Sequence, residues 1–242
     1  MARTKIEWAN YTINPIVGCS KISEGCLNCY AEKMAWRLKC MGIPKYQDVV
    51  DKNGWTGKIG VDMSVFDKLP KTPKKIFVTS MGDLFHENVT DKQIDNVFTQ
   101  IAYDQCWPLA GLFNERLHTY LLLTKRPGRI LNAGHPEHFA RWPNIWLGVT
   151  AENQKRYDER WSILSKIPAA VKFVSIEPAL EYVNIDIFTP WPDWVIWGPE
   201  TGPGKRPCNP KWAKKTYELC KDANIPFFDK SKKNWLAREF PR

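Results

Sequence analysis

The chain has 242 residues, 43% hydrophobic and 25% charged, which is ordinary globular composition for one large domain or two small ones and excludes a disordered tail, a collagen and a coiled-coil rod. No run approaches the ~18 consecutive apolar residues of a membrane span, and Met1-Ala2-Arg3-Thr4-Lys5 leads into Glu7 and Trp8 with no apolar signal core, so a soluble cytoplasmic protein is expected. Lys and Arg number 35 against 26 Asp and Glu, a formal charge of +9, and residues 203–242 alone hold eleven Lys and Arg against four acids; such a surface suits anionic partners, nucleic acid or nucleotide phosphates, and serves equally as a solubilising coat.

In chain order, Ile13 to Val17 reads as a first strand, followed by a cysteine-bearing loop and a helix over about 29–41. Residues 42–74, with Pro44, Gly54, Gly57, Gly60, Pro70 and Pro73, read as a long irregular insertion, placed to lid the mouth of a barrel. Lys75 to Ser80 is a second strand, and Ile94, Val97, Phe98 and Ile101 mark a helix over Asp91 to Asp104. Thr119 to Thr124 is a third, with a short helix near Pro127 to Leu131; Asn144 to Val149 is a fourth, with a helix over about 152–165. Val171 to Ile176 and Trp194 to Gly198 follow, then a helix over about 210–223 and a short strand at Ile225 to Phe228. Near-continuous apolar strands alternating with helices predict an α/β protein with a parallel sheet, and six such units fit a partial (βα)6 TIM-like barrel. A single domain over 1–242 is expected, its basic C-terminal portion at about 203–242.

Ligands of such sheets bind at the C-terminal strand ends. There the sequence places Gly18 and Cys19; Ser80, Met81, Gly82 and Asp83, then His86 and Glu87; Lys125 and Arg126; Thr150 and Glu152; Glu177; and Glu200 with Thr201 and Gly202. Polar or glycine residues on every such loop predict an active site. Cys19, Cys26 and Cys29 form a C-x6-C-x2-C cluster on the first of these loops, while Cys40, Cys106, Cys208 and Cys220 are scattered. Seven cysteines without a signal peptide argue against a disulfide framework. Three thiolates leave a tetrahedral zinc site one ligand short, a gap that a residue elsewhere, Cys40 or His86 for example, could fill; the alternative is an iron–sulfur cluster with three protein ligands and one open iron. The place of the trio at the mouth of a βα barrel favours the cluster.

The words Ile6-Glu7-Trp8, Asn14-Pro15-Ile16-Val17-Gly18-Cys19, Gly25-Cys26-Leu27-Asn28-Cys29-Tyr30-Ala31-Glu32, Ser80-Met81-Gly82-Asp83-Leu84-Phe85-His86, Leu123-Thr124-Lys125-Arg126-Pro127, Trp146-Leu147-Gly148-Val149-Thr150, Phe173-Val174-Ser175-Ile176-Glu177-Pro178 and Gly202-Pro203-Gly204-Lys205-Arg206-Pro207 span nearly the whole chain. They resemble a small bacteriophage three-cysteine family of the radical S-adenosylmethionine superfamily. The commonest superfamily spacing is C-x3-C-x2-C, three residues shorter in the first gap, and its aromatic before the third cysteine is here Asn28, with Tyr30 following Cys29 instead.

The resemblance implies a barrel of the radical S-adenosylmethionine type and a [4Fe–4S] cluster on Cys19, Cys26 and Cys29, with S-adenosylmethionine bound through Ser80, Met81, Gly82, Asp83, Tyr30 and Thr150. Asp83 would take the cofactor's ammonium. An external reductant would supply the electron that generates a 5′-deoxyadenosyl radical. Lys125 and Arg126 would hold a cofactor or substrate carboxylate or a phosphate, and Glu177 and Glu200 would orient ribose hydroxyls or a substrate amine. The same residues have plain structural uses: Asp83 and Glu200 as caps, Lys125-Arg126 as a solvated first turn, His86 as a structural histidine, Tyr30 as core.

Phage DNA base hypermodification is then the expected setting, in a host cytoplasm, with isomerisation of an amino-acid-bearing thymine in DNA as its sharpest form. Lys205, Arg206, Lys211, Lys214, Lys215, Lys230, Lys232 and Lys233 are candidates for phosphate contacts. A zinc-bearing, non-catalytic nucleic-acid-binding module is the alternative.

Overall fold

Strands without apolar–polar alternation have to be covered on both faces. The computed structural model describes residues 2–4, 6–106, 118–132, 137, 139, 142–186, 189–231 and 236–241. The chain divides into two compact units, Met1–Lys21 with Tyr30–Leu122, and Ile22–Cys29 with Leu123–Arg242.

The first unit holds β1 (Ala2–Arg3), β2 (Tyr11–Ile13), β3 (Ile16–Val17), α1 (Tyr30–Cys40), β4 (Val50–Asp51), β5 (Gly54–Trp55), β6 (Gly60–Val61), β7 (Lys75–Val78), α2 (Asp91–Cys106) and most of β8 (Thr119–Thr124). β7 runs parallel to both β2 and β8, with Tyr11 opposite Ile76 and Lys75 opposite Thr119, while β1 pairs antiparallel with β2. The expected first strand over 13–17 is in fact two. Pro15 brings no N–H to a ladder, and the Asn14 side chain leaves the strand to accept hydrogen bonds from Ser80 Oγ (3.1 Å) and the Met81 N–H (3.0 Å). β3 then pairs antiparallel with β6.

The insertion at 42–74 is not irregular throughout. It forms the β4–β5 hairpin and a 3-10 turn at Met63–Lys68. Its hairpin is fastened to α1, where Lys39 Nζ donates to the Val50 carbonyl (2.7 Å) and the Trp55 N–H donates to Glu32 (3.1 Å). A capping box opens α2: Gln93 N–H donates to Thr90 Oγ1 and Thr90 N–H to Gln93 Oε1. Ile94, Val97, Phe98 and Ile101 then fall on its buried face.

The second unit holds α3 (Pro127–Asn132), β9 (Ile145–Thr150), α4 (Gln154–Leu164), β10 (Val171–Ile176), β11 (Trp194–Trp197), α5 (Pro210–Asp222) and β12 (Phe227–Asp229). β9, β10, β11 and β12 are parallel neighbours in that order, Val171 facing Trp146, Phe173 facing Trp194 and Val195 facing Phe227. Gly148 admits the Phe173 ring: a Cβ there would stand 2.4 Å from it. Asn153 caps α4 by accepting from the Arg156 N–H (2.9 Å), and Tyr157, Trp161 and Leu164 are its buried stripe. Asn209 and Pro210 open α5 in the same way. Trp194 sits in an aromatic cluster with Trp146, Phe173, Phe228 and Phe240, its indole N–H donating to the Glu239 carbonyl (2.9 Å).

Among the described residues the class is mixed α/β with seven parallel strands, compatible with the expected TIM-like partial barrel. Among the described residues, no helix is long and apolar enough to cross a membrane.

Candidate functional site

Cys19 belongs to the first unit, and Cys26 and Cys29 belong to the second. Cys19 follows Gly18, whose φ of +100° lies in the left-handed region that favours glycine. Gly18 bridges in parallel to Gly82 and donates its N–H to the Met81 carbonyl (3.1 Å), so the Ser80–Asp83 stretch runs directly beside Gly18-Cys19. Asp83 is 5% exposed and accepts the Phe85 N–H (3.0 Å), holding the turn after β7. Tyr30 is 52% exposed, so it is not core; its hydroxyl donates to the Ser80 carbonyl (3.4 Å).

His86 is fully buried and structural in its bonding. Its Nδ1 accepts the Asn88 N–H (3.0 Å), so in the neutral ring Nε2 carries the proton toward Ser20 Oγ (2.9 Å), which donates onward to Glu87 (2.9 Å). With both ring nitrogens engaged, His86 is a poor fourth ligand for zinc. Thr79, just before Ser80, was missed by the sequence reading. It is 2% exposed, its φ is +63°, rare for a β-branched residue, and its buried hydroxyl has no hydrogen-bond partner among the described residues. Nothing in the sequence signals it.

In the second unit the cysteine loop Ile22–Cys29 is bonded at several points. The Gly25 N–H donates to Glu152 Oε1 (3.2 Å), and the other oxygen of that fully buried carboxylate pairs with Arg160 Nη1 (2.8 Å). Arg160 also donates to the Thr150 carbonyl (2.6 Å). Asn28 Nδ2 donates to Glu200 Oε2 (3.0 Å) and to the Gly204 carbonyl (3.1 Å). Arg206 grips Glu200 through its main-chain N–H (2.7 Å), Nε (3.0 Å) and Nη2 (2.5 Å), and donates through Nη1 to the Glu24 carbonyl (3.0 Å). Arg156 holds the Glu24 carboxylate with two N–H groups at 2.9 and 3.1 Å.

Charge follows this geometry. Burial pushes the Cys26 thiol up, but the Lys125 ammonium and hydrogen bonds from the Ile22 and Ser23 backbone and the Ser23 hydroxyl bring it below the ordinary thiol value. Glu152 is likewise pushed up by burial and brought below the carboxylate value by Arg160 and Lys125. Hydrogen bonds from Arg206 lower Glu200 to about 2. Burial, with a smaller push from the Glu239 charge, raises Cys220 to about 12, as expected of a small apolar filler.

The Glu177 carboxylate pairs with Lys230, accepts from Ser175 Oγ (3.1 Å) and lies over Gly198, where a Cβ would come within 2.7 Å of it. Thr150 is buried at the end of β9, and the Arg126 N–H donates to Thr124 Oγ1 (2.8 Å). Of the basic candidates, Arg206 and Lys230 are thus committed to carboxylates, and Lys214 lies 3.9 Å from Glu218. Lys215 lies over the Tyr182 ring, Lys205 and Lys211 are exposed, and Lys232 and Lys233 lie outside the described residues. Cys40 is exposed and Cys208 half-buried; the Cys106 side chain lies outside the described set. Among the described residues, no group of three or more His, Cys, Asp or Glu side chains is gathered for a metal ion.

The fold and its polar strand ends define a mixed α/β protein with a cysteine loop bonded at the C-terminal ends of parallel strands. The chain belongs to the DUF5131 family, described as a protein of unknown function, whose model matches residues 3–242. No curated protein and no solved structure matches it.

Proposed function

We propose that the chain is a radical S-adenosylmethionine enzyme in which Cys19, Cys26 and Cys29 hold a [4Fe–4S] cluster. In its sharpest form the reaction is isomerisation of an amino-acid-bearing thymine in phage DNA. The observation that carries this is the C-x6-C-x2-C trio of free thiols, with Cys26 and Cys29 on a loop bonded to the strand-end carboxylates Glu152 and Glu200. Thiolates are the ligands such a cluster requires.

The chemistry of the donor set supports this reading. All three cysteines are free thiols, and the unpartnered Thr79 hydroxyl beside Ser80–Asp83 is a polar group available to a bound cofactor. The chemistry supplied by the cluster with S-adenosylmethionine, given an electron from an external reductant, is cleavage of the sulfonium to methionine and a 5′-deoxyadenosyl radical that takes a hydrogen atom from the substrate. The chain's own residues bind and orient. Asp83 would accept the cofactor's ammonium beside Ser80, Met81 and Gly82, with Tyr30 and Thr150 as the further residues proposed to hold the cofactor. Lys125 and Arg126 hold a carboxylate or phosphate, and Glu177, backed by Lys230, orients hydroxyls or an amine.

Anaerobic iron and sulfide analysis with an optical spectrum tests the proposal. A brown protein with thiolate-to-iron charge-transfer absorption is expected, and a colourless zinc protein would replace it with the non-catalytic nucleic-acid-binding module. Single Ala variants of Cys19, Cys26 and Cys29 should lose most of the iron, while Cys208→Ala and Cys220→Ala keep it. Full iron in Cys29→Ala would remove the trio from its role.

A further inference from the structure

Glu152 and Glu200 come from different strand ends of the second unit, yet both finish on the cysteine loop. Glu152 gives one oxygen to Arg160 and the other to the Gly25 N–H at 3.2 Å, and Glu200, held through both oxygens by Arg206, accepts the Asn28 amide at 3.0 Å on the Oε2 it shares with Arg206. Arg206 adds a bond to the Glu24 carbonyl (3.0 Å). The contact is tight, since a Cβ on Gly25 would stand 3.0 Å from the Glu152 carboxyl carbon. A fully buried carboxylate–arginine pair is costly to desolvate, and a solvated loop has no need of one.

We infer that Glu152 and Glu200, backed by Arg160 and Arg206, are positioning residues that set the cysteine loop, and with it the Cys26 and Cys29 sulfurs, before any metal arrives. This rests on the cluster proposal only for what the sulfurs hold. It assigns Glu200 to the loop rather than to substrate.

The test uses the full chain, reduced and metal-free, as wild type, Asn28→Ala, Glu200→Gln and Glu200→Ala. Asn28 is on the loop and outside the core, so Asn28→Ala keeps the test valid if a Glu200 variant fails to fold. Hydrogen exchange over 23–29 and site-resolved iodoacetamide labelling of Cys26 and Cys29 are measured against Cys40, which is exposed and serves as internal reference. Asn28→Ala and Glu200→Ala should each speed exchange and Cys26 labelling about tenfold or more, the factor expected for losing a hydrogen bond to a charged group. Glu200→Gln, which keeps an acceptor oxygen, should restore part of the protection.

After anaerobic loading with iron and sulfide, the two Ala variants should surrender iron to a chelator about tenfold faster and show an altered electron paramagnetic resonance spectrum once reduced. Unchanged exchange and labelling in Asn28→Ala and Glu200→Ala would overturn the inference. Wild-type chain that takes up no iron, with the loop still loosened in the variants, would overturn the cluster proposal and leave the positioning role standing.

Discussion

Asp83 and Glu200 are both acids at strand ends, but their surroundings set them different tasks. Asp83 spends Oδ1 on the Phe85 N–H. Asp83→Asn keeps an acceptor oxygen there but loses the charge that would meet an ammonium. S-adenosylmethionine affinity should fall about tenfold or more, from a charge-assisted hydrogen bond of roughly 1.5–3 kcal/mol, with iron content unchanged. Unaltered affinity by calorimetry would leave Asp83 with the turn alone. Glu200 is held at about 2, below the ordinary carboxylate value of 4.5, chiefly by the Arg206 side chain. A group depressed on folding stabilises fully above its unfolded value and loses that contribution as pH falls through the folded one. Melting temperature should therefore drop between about pH 4.5 and 2, and less steeply in Glu200→Gln. Equal slopes would mean that the ion pair contributes nothing to acid stability. Glu24 is also lowered to about 2 by Arg156, but it is largely solvent-exposed and its share is screened.

The cap of α4 links element stability to the loop. Asn153 accepts the Arg156 N–H, and Arg156 in turn reaches Glu24. Asn153→Ala should cost about 1 kcal/mol in urea unfolding, the usual worth of such a cap. A loss near zero would mean that α4 is held by its buried stripe and its arginine pairs without help from the cap. The strands were legible because their signals are local: Thr119–Thr124 and Val171–Ile176 match the expected runs at both ends. Two of the errors fall at prolines, while the strand expected over Lys75–Ser80 ends at Val78, where Thr79 turns to a positive φ. Ile13–Val17 broke at Pro15, and the last strand begins at Phe227 because Pro226 has no N–H to give, although its carbonyl accepts from the Val195 N–H. The short β4–β5 hairpin in 42–74 was hidden because Gly and Pro density marks turns without saying which turn closes a ladder.

Across the whole chain, the sequence exposed the candidate residues but not their pairing. Cys26, Glu152, Glu200 and Arg206 were all visible at loop positions, yet Glu24 meets Arg156 across 132 residues and Asn28 meets Glu200 across 172. Arg156 and Arg160, four apart on one helix, were the available cue that a helix face points at carboxylates. The net charge of +9 leads to a prediction at this scale. With Arg206 and Lys230 committed to carboxylates, the proposed phosphate contacts would fall to Lys205, Lys211, Lys214 and Lys215, together with Lys232 and Lys233, which lie outside the described residues. Duplex affinity should fall with salt at a log–log slope of about −0.9 per phosphate contacted, and single strands should bind more shallowly. A base in a duplex has to be flipped out for chemistry. Tight, salt-insensitive binding of a mononucleotide without DNA binding would make the basic surface a solubilising coat.

The aromatic cluster around Trp194 makes the second unit its own optical gauge. Trp146 and Trp194 lie edge to face with centroids 6.0 Å apart, and the Phe240 ring lies 5.3 Å from Trp194. Indoles fixed in so asymmetric a setting rotate polarised light strongly in the near ultraviolet, and lose that signal when packing loosens while secondary structure persists. Phe240→Ala should dim the near-ultraviolet circular dichroism and spare the far-ultraviolet spectrum, so that loosening of this core is visible without a label or a ligand.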